Sequence, residues 1–139
     1  MSATLATTPV VKNAVVIGLT AIAVGLVGCS PKDTSVKIGH VAPMTGSIAH
    51  LGKDNEAGAK LAIADLNKAG IKIDGKPVTF TLISEDDGAD PKQGTAAAQK
   101  LVDAKVAGVI GHLNSGTTIP ASKLYSDAGI PQISPSATN

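Results

Sequence analysis

A chain of 139 residues is long enough for one domain, and its charges nearly cancel: 12 Lys, no Arg and 11 acidic residues leave a net charge of +1. That balance lacks the basic face on which nucleic-acid binding rests. Phe80 and Tyr125 are the only aromatic side chains, so base stacking has no platform either.

The first segment stands apart from the rest. Lys12 is the only charge before Lys32, and Ala14 to Gly28 is an uncharged run of mostly Ala, Val, Leu, Ile and Gly. A basic residue, a short apolar core and a small residue at its end describe a secretory leader. The run is shorter than the ~20 apolar residues that a membrane-spanning helix needs. Residues 1–29 are therefore expected to be a signal peptide, with 30–35 as a linker. Cys29 is the only cysteine, which excludes an intrachain disulfide. Leu26–Cys29 resembles the lipobox of bacterial lipoproteins, in which the cysteine becomes the lipidated first residue. Cys29 is thus the candidate lipidation site, and its lipid would tether the remainder to a membrane without spanning it. The expected location is outside the cytoplasm, on the periplasmic or extracellular face.

Beyond the linker, strand-like and helix-like segments alternate. Val36–Val41 reads as a strand, and Pro43 and Gly46 punctuate the loop after it. A helix is expected from about Gly52 to Ala69, with Ala57, Leu61, Ala64 and Ala69 as its inward stripe. Gly58 lies among these small residues, which would let the helix lie close to a sheet. Gly70 supplies a stop. Asp74-Gly75 is a turn before a second strand, Pro77–Ile83. Glu85–Asp90 reads as a solvated acidic loop, and Asp90-Pro91 as an N-cap followed by proline at the first helical position. That helix should reach about Ala104. Val106–Ile110 is a third strand, Thr118–Ala128 a third helix and Ile130–Ser134 a fourth strand. This order predicts an α/β fold, a doubly wound parallel sheet with helices on both faces.

Two hydroxyl-rich loops follow the last two strands, Gly111–Thr118 and Ser134–Thr138. Open α/β sheets bind ligands just beyond the carboxyl ends of their strands. Gly111, Gly116 and Thr118 approach a phosphate-loop pattern, but Thr117 stands where the lysine belongs. A Gly/Ser loop entering a helix still points free N–H groups at an anion, and a carboxylate suits such a site. Ser115 would add a hydroxyl donor. His112 near Ser115 suggests a nucleophile and its base, yet the Gly-x-Ser-x-Gly elbow is missing, so His112 reads as a packed, hydrogen-bonded strand-end residue. His40, His50 and His112 lack metal-ligand spacing, and Glu85 to Asp90 does not follow the EF-hand pattern. No cofactor, no metal and no catalytic residue is expected.

The segment from about Val36 to Thr138 resembles the branched-chain amino acid binding proteins of ATP-binding-cassette uptake systems, which have the type I periplasmic binding fold. The matching stretches are Met44–Gly46 with Gly52, Asp86-Asp87, Asp90–Gln93, Val109–Leu113, Pro120–Ser122 and Ile133–Thr138. The resemblance implies that Ser115, with the neighbouring Asn114 and Gly116, holds the ligand carboxylate. It implies that Ser136 (through its backbone) and Thr138 hold the ammonium. The absence of Arg agrees with capture of a zwitterion by dipoles and hydroxyls. Leu51 takes a place near the ligand side chain that is often aromatic, and Ala89 and Asn114 stand where some members carry a disulfide.

The resemblance further implies that 36–139 is only the opening part of a first lobe, followed in family members by a hinge and a second lobe. One sheet face would then lack its covering helix, and this piece alone would fold marginally and bind weakly or not at all. The implied function is capture of a branched-chain amino acid by domain closure and delivery to a membrane permease. Alternatives are another solute, such as an amide, urea or aromatic acid, a receptor ectodomain, or a hydrolase centred on Ser115.

Overall fold

The computed structural model describes residues 34–138. The expected leader, Cys29 and residues 30–33 of the linker lie outside the described residues. The order is β1 (Thr34–Ala42), α1 (Ala49–Ala69), β2 (Lys72–Ile73), β3 (Lys76–Asp86), α2 (Pro91–Asp103), β4 (Gly108–Gly111), α3 (Ser115–Asp127) and β5 (Gln132–Ile133). β1 already includes Thr34 and Ser35, so the expected linker gives its last two residues to the sheet. The sheet order is β2-β3-β1-β4-β5. β1 pairs in parallel with β3 and β4, and β4 with β5. β2 is an antiparallel edge strand, joined to β3 through the Asp74-Gly75 turn. The alternation expected from sequence holds, with this short hairpin added.

Strand alternation sends side chains to opposite faces. In β1, Gly39 lies against Leu101 of α2 and Val41 joins the main core, while His40 bonds Asn55 of α1. α2 and α3 therefore cover one face and α1 the other. The core lies on the α2/α3 face and contains Val41, Ala97, Ala98, Leu101, Val106, Val109, Ala121 and Tyr125. α2 starts as its sequence dictates: Asp90 Oδ1 accepts the N–H groups of Lys92 and Gln93 at 3.0 and 2.9 Å, and Pro91 opens the helix. Gly94 lets α2 meet α3, since a Cβ there would lie 3.0 Å from Thr117 Cβ.

α1 differs from expectation. It begins at Ala49, and its inward row is Gly52, Asn55, Glu56, Ala59 and Ile63. Ala57, Leu61, Ala64 and Ala69 are exposed, and Gly58 meets nothing. The polar pair Asn55 and Glu56 hid this row from an apolar count; Asn55 Oδ1 lies 2.9 Å from His40 Nε2. The close approach falls to Gly52, where a Cβ would lie 2.1 Å from the Pro43 carbonyl oxygen. Farther along α1, a groove of about 240 Å³ opens between the helix and the sheet, bordered by Ile38, Ile63, Leu66, Ile110 and Ile133.

The outer margin of β3 is closed by a side chain. Asn67 Nδ2 donates to the Phe80 carbonyl at 2.9 Å, and Asn67 Oδ1 accepts the Phe80 N–H at 2.8 Å. Next to it, Val78 N–H donates to the Ile71 carbonyl at 2.9 Å. Asn67→Ala should cost about 1–2 kcal/mol, because two backbone bonds are lost at a place water can reach. It should also open the margin to strand addition. Urea unfolding with light scattering at rising protein concentration checks both effects.

Candidate functional site

The connections diverge between β1 and β4. The chain leaves β1 through α1 toward β3, and leaves β4 through α3 toward β5. Such a switch point opens a crevice beyond the strand ends. The loop after β1 carries Leu51 on the first turn of α1, and the loop after β4 carries Asn114, Ser115 and Gly116 into α3.

α3 starts at Ser115, three residues before the expected Thr118. Asn114 is its N-cap, extended at φ −97° and ψ 142°, with no side-chain capping bond. Its carbonyl accepts the N–H groups of Thr117 and Thr118 at 3.2 and 2.9 Å, and both hydroxyls, at 3.0 and 2.8 Å. This convergence closes the first turn, which the Thr/Ser content had suggested was still loop. The N–H groups of Ser115 and Gly116 precede any intrahelical partner, as at every helix start. They point with the positive end of the helix dipole. Asn114 Oδ1 is buried without a partner, an acceptor that an incoming N–H or O–H would satisfy.

The β5 loop is laced onto this one. Ser136 Oγ donates to the Leu113 carbonyl at 2.6 Å, and Thr138 N–H donates to Ser115 Oγ at 3.3 Å. Ser134 Oγ donates to the His112 carbonyl at 2.6 Å and accepts the Ala137 N–H at 3.0 Å. Ser115 Oγ is thus an acceptor within the protein, and its hydrogen is free to donate outward. The Ser136 hydroxyl is occupied, which leaves its backbone for a ligand. Ser115, Ser136 and Thr138 come together; Leu51, 46% exposed, shares no hydrogen bond with them and flanks the crevice from α1.

The acidic loop is not the solvated one expected. Asp87 is fully buried, with Oδ2 2.8 Å from His112 Nδ1 and Oδ1 accepting the Ala89 N–H. Asp86 accepts the Met44 N–H at 2.7 Å, the Thr45 hydroxyl at 2.6 Å and the Gly88 N–H at 2.8 Å, which ties down the loop after β1. Only Asp90 caps the helix. Burial would raise both the Asp86 and Asp87 carboxyls, but these hydrogen bonds hold each below the usual carboxylate range. His112 Nε2 lies 3.2 Å from the Tyr125 hydroxyl, so both ring nitrogens are engaged away from Ser115. The pair His112 and Ser115 therefore has no nucleophile–base geometry. Asp87 and Tyr125 were missed as contributors; the signal was present in Asp86-Asp87 and His112, whose partners lie far away in sequence. Among the described residues no group of His, Cys, Asp and Glu could hold a metal.

A family model described as periplasmic binding protein matches residues 35–139. The chain belongs to the periplasmic binding protein family. Leu/Ile/Val-binding protein homolog 1 of Brucella abortus is 46% identical over 112 residues, covering 81% of this chain and 29% of the relative. Among solved periplasmic binding proteins, a branched-chain amino acid transporter substrate-binding protein of Streptococcus pneumoniae, in complex with isoleucine, aligns with a TM-score of 0.69. It is 36% identical, over 76% of this chain and 30% of that one. A solute-binding protein of an ABC transporter from Rhodopseudomonas palustris, in complex with 3,4-dihydroxybenzoic acid, aligns with a TM-score of 0.62. It is 32% identical, over 74% and 27% of the two chains. The chain spans about 30% of the length of the relatives it matches.

Proposed function

We propose that residues 34–138 supply the carboxylate-receiving side of a solute-binding site. The whole protein would capture a branched-chain amino acid and deliver it to the permease of an ATP-binding-cassette uptake system. The observation that carries this reading is the α3 N-terminus at the switch point. Ser115 and Gly116 offer N–H groups there, the Ser115 hydroxyl hydrogen is free, and Ser136 and Thr138 are laced alongside. Isoleucine and 3,4-dihydroxybenzoic acid, the ligands of the two solved relatives, have little in common except a carboxylate. A segment aligned in both is a reasonable source of the shared contact. Asn114 stays in the site through its N-cap carbonyl and its orphaned Oδ1. Leu51 would border the ligand side chain, and the Ser136 carbonyl and Thr138 hydroxyl would receive an ammonium.

On this reading the protein does no covalent chemistry, and both ring nitrogens of His112 are occupied elsewhere. Export, with Cys29 carrying a lipid anchor, fits the apolar segment before Cys29.

The test is calorimetric titration of a chimera that joins residues 34–138 to the matching remainder of the Brucella abortus homolog. Leucine, isoleucine and valine should bind, and Ser115→Ala should weaken them by about 10- to 100-fold, the worth of one hydrogen bond to a charged group. Binding of benzoate in place of the aliphatic amino acids would move the solute class to aromatic acids. An unchanged affinity in Ser115→Ala would sink the assignment of the carboxylate contact.

A further inference from the structure

The loops that present Ser115, Ser136 and Thr138 share one anchor, and it is a buried residue with no path to the ligand. His112 is fully buried, as is Asp87, and Tyr125 is 1% exposed. The His112 ring lies 2.8 Å through Nδ1 from Asp87 Oδ2 and 3.2 Å through Nε2 from the Tyr125 hydroxyl. A carboxylate only accepts, so Nδ1 carries a hydrogen and donates to Asp87, while Nε2 and the Tyr125 hydroxyl share the second bond. Each element of this chain is fixed in turn. Asp87 N–H donates to the Ala42 carbonyl of β1, and Tyr125 stands in the α3 core.

The other end of the same residue faces the site. The His112 carbonyl accepts the Ser134 hydroxyl at 2.6 Å and the Thr118 hydroxyl at 3.2 Å. Ser134 Oγ then accepts the Ala137 N–H, one residue from each of Ser136 and Thr138. Thr118 also binds the Asn114 carbonyl, one residue before Ser115. The β3–α2 loop, the body of α3, its first turn and the β5 loop thus converge on a single residue. An apolar side chain would fill the same space without fixing direction, whereas a satisfied polar network imposes one geometry.

Resting on the binding reading above, we propose that His112 is the positioning residue of this site: its ring, gripped by Asp87 and Tyr125, fixes its carbonyl, and that carbonyl sets both ligand loops. Tyr125 acts through His112, and Asp87, whose carboxylate also meets the Thr117 hydroxyl, acts chiefly through it. A tyrosine hydroxyl buried in the helical core thereby controls the affinity of a site it does not touch.

The experiment is heteronuclear NMR on the full chain, wild type against Tyr125→Phe and Ser134→Ala. In the wild type, the His112 ring signals should show a hydrogen on Nδ1 that is protected from exchange with water. Tyr125→Phe removes one hydroxyl and little volume. It should move the His112 ring signals and also the amide signals of Ser115, Gly116 and Thr138, with the remaining spectrum dispersed as before. Ser134→Ala, at the solvent side of the same carbonyl, should move the amides of Ala137 and Thr138 and decides the matter if Tyr125→Phe does not fold. Shifts confined to Tyr125 and its core neighbours, with Ser115 and Thr138 unmoved, would overturn the proposal. A second arm titrates isoleucine and sodium acetate into the chimera with the Brucella abortus homolog, wild type and Tyr125→Phe. Saturable movement of the Ser115 and Gly116 amides, weakened about fivefold or more in Tyr125→Phe, supports positioning. Movement equal in wild type and variant overturns it. If neither probe moves these amides in the wild type, the binding reading fails for this chain, while the ligand-free arm still decides whether His112 sets the loops.

Discussion

Gly111→Ala should abolish cooperative unfolding of this chain at room temperature. Gly111 closes β4 with φ +126°, a conformation that residues with a Cβ rarely adopt, and the added Cβ would stand 2.1 Å from the Val41 carbonyl oxygen of β1. Strain of that kind costs about 1–3 kcal/mol. The clash is with backbone at the last pair of the β1–β4 ladder, Val41 opposite Gly111, so no side chain can swing away. Relieving it means separating β1 from β4 where the crevice opens, and about 4 kcal/mol or more is a fair expectation for strain and overpacking together. Gly58→Ala is the control. Gly58 is exposed within α1, meets nothing within 4 Å and has no unusual φ. There the replacement should stabilise by roughly 0.8–1 kcal/mol through helix propensity alone. Urea melts followed by circular dichroism separate the two, and a normal melt for Gly111→Ala would contradict the packing described for β1 and β4.

Asp87→Ala should cost roughly 2–3 kcal/mol, because it leaves the Nδ1–H of a fully buried histidine without an acceptor. Its pH dependence has a definite sign. The Asp87 carboxyl is depressed below its ordinary 3.8, so its contribution is complete above that value and disappears as pH falls through the lower, folded-state value. Asp86 behaves in the same direction. His40 acts at higher pH: burial lowers it from 6.5, only partly offset by the Asn55 bond and the Glu56 carboxylate, and its Nδ1 is buried without a partner. The unfolded chain therefore takes up a proton first, and stability should begin to fall below about pH 6.5. Wild type should lose stability in two stages on acidification, the first setting in below about 6.5 and the second below about 4. Asp87→Asn should flatten the second stage and leave the first. A single steep loss unchanged by Asp87→Asn would show that the carboxylate is not the acid-sensitive element.

Most of the architecture was readable because local chemistry and fold agree. Asp90-Pro91 starts α2 as its capping chemistry requires, Gly70 ends α1 in the left-handed conformation (φ 64°), and alternation of strand and helix gives the parallel sheet. Ser115, Ser136 and Thr138 were legible through family resemblance, and the fold brings them into one hydrogen-bonded cluster. What escaped was set by partners distant in sequence. Glu85 to Asp90 looks like a solvated run until Asp87 is seen against His112, 25 residues on, and Asp86 against Met44, 42 residues back. The inward row of α1 was misread for the same reason: Asn55 is polar because β1 places His40 beneath it. The start of α3 was misjudged because Thr117 and Thr118 look like turn residues, while the Asn114 carbonyl collects both hydroxyls inside the helix.

The amide of Asn67 gives the sheet a direction of growth. On the β2 side, Ile73, Ile71 and Asn67 occupy successive outward positions of β3 from Lys76 to Phe80, and one of the three is a side chain imitating a strand. A further strand has no ladder to join along that stretch. At the opposite margin β5 is two residues long, and Ile133 there is 72% exposed. Along Lys76–Phe80 a chain added to this sheet finds no free ladder, whereas β5 offers one beside the two loops that hold the hydroxyls. Substitutions at Ile133, exposed on that short margin, should change the tendency to associate more than substitutions at Val78 or Phe80 on the covered stretch of β3.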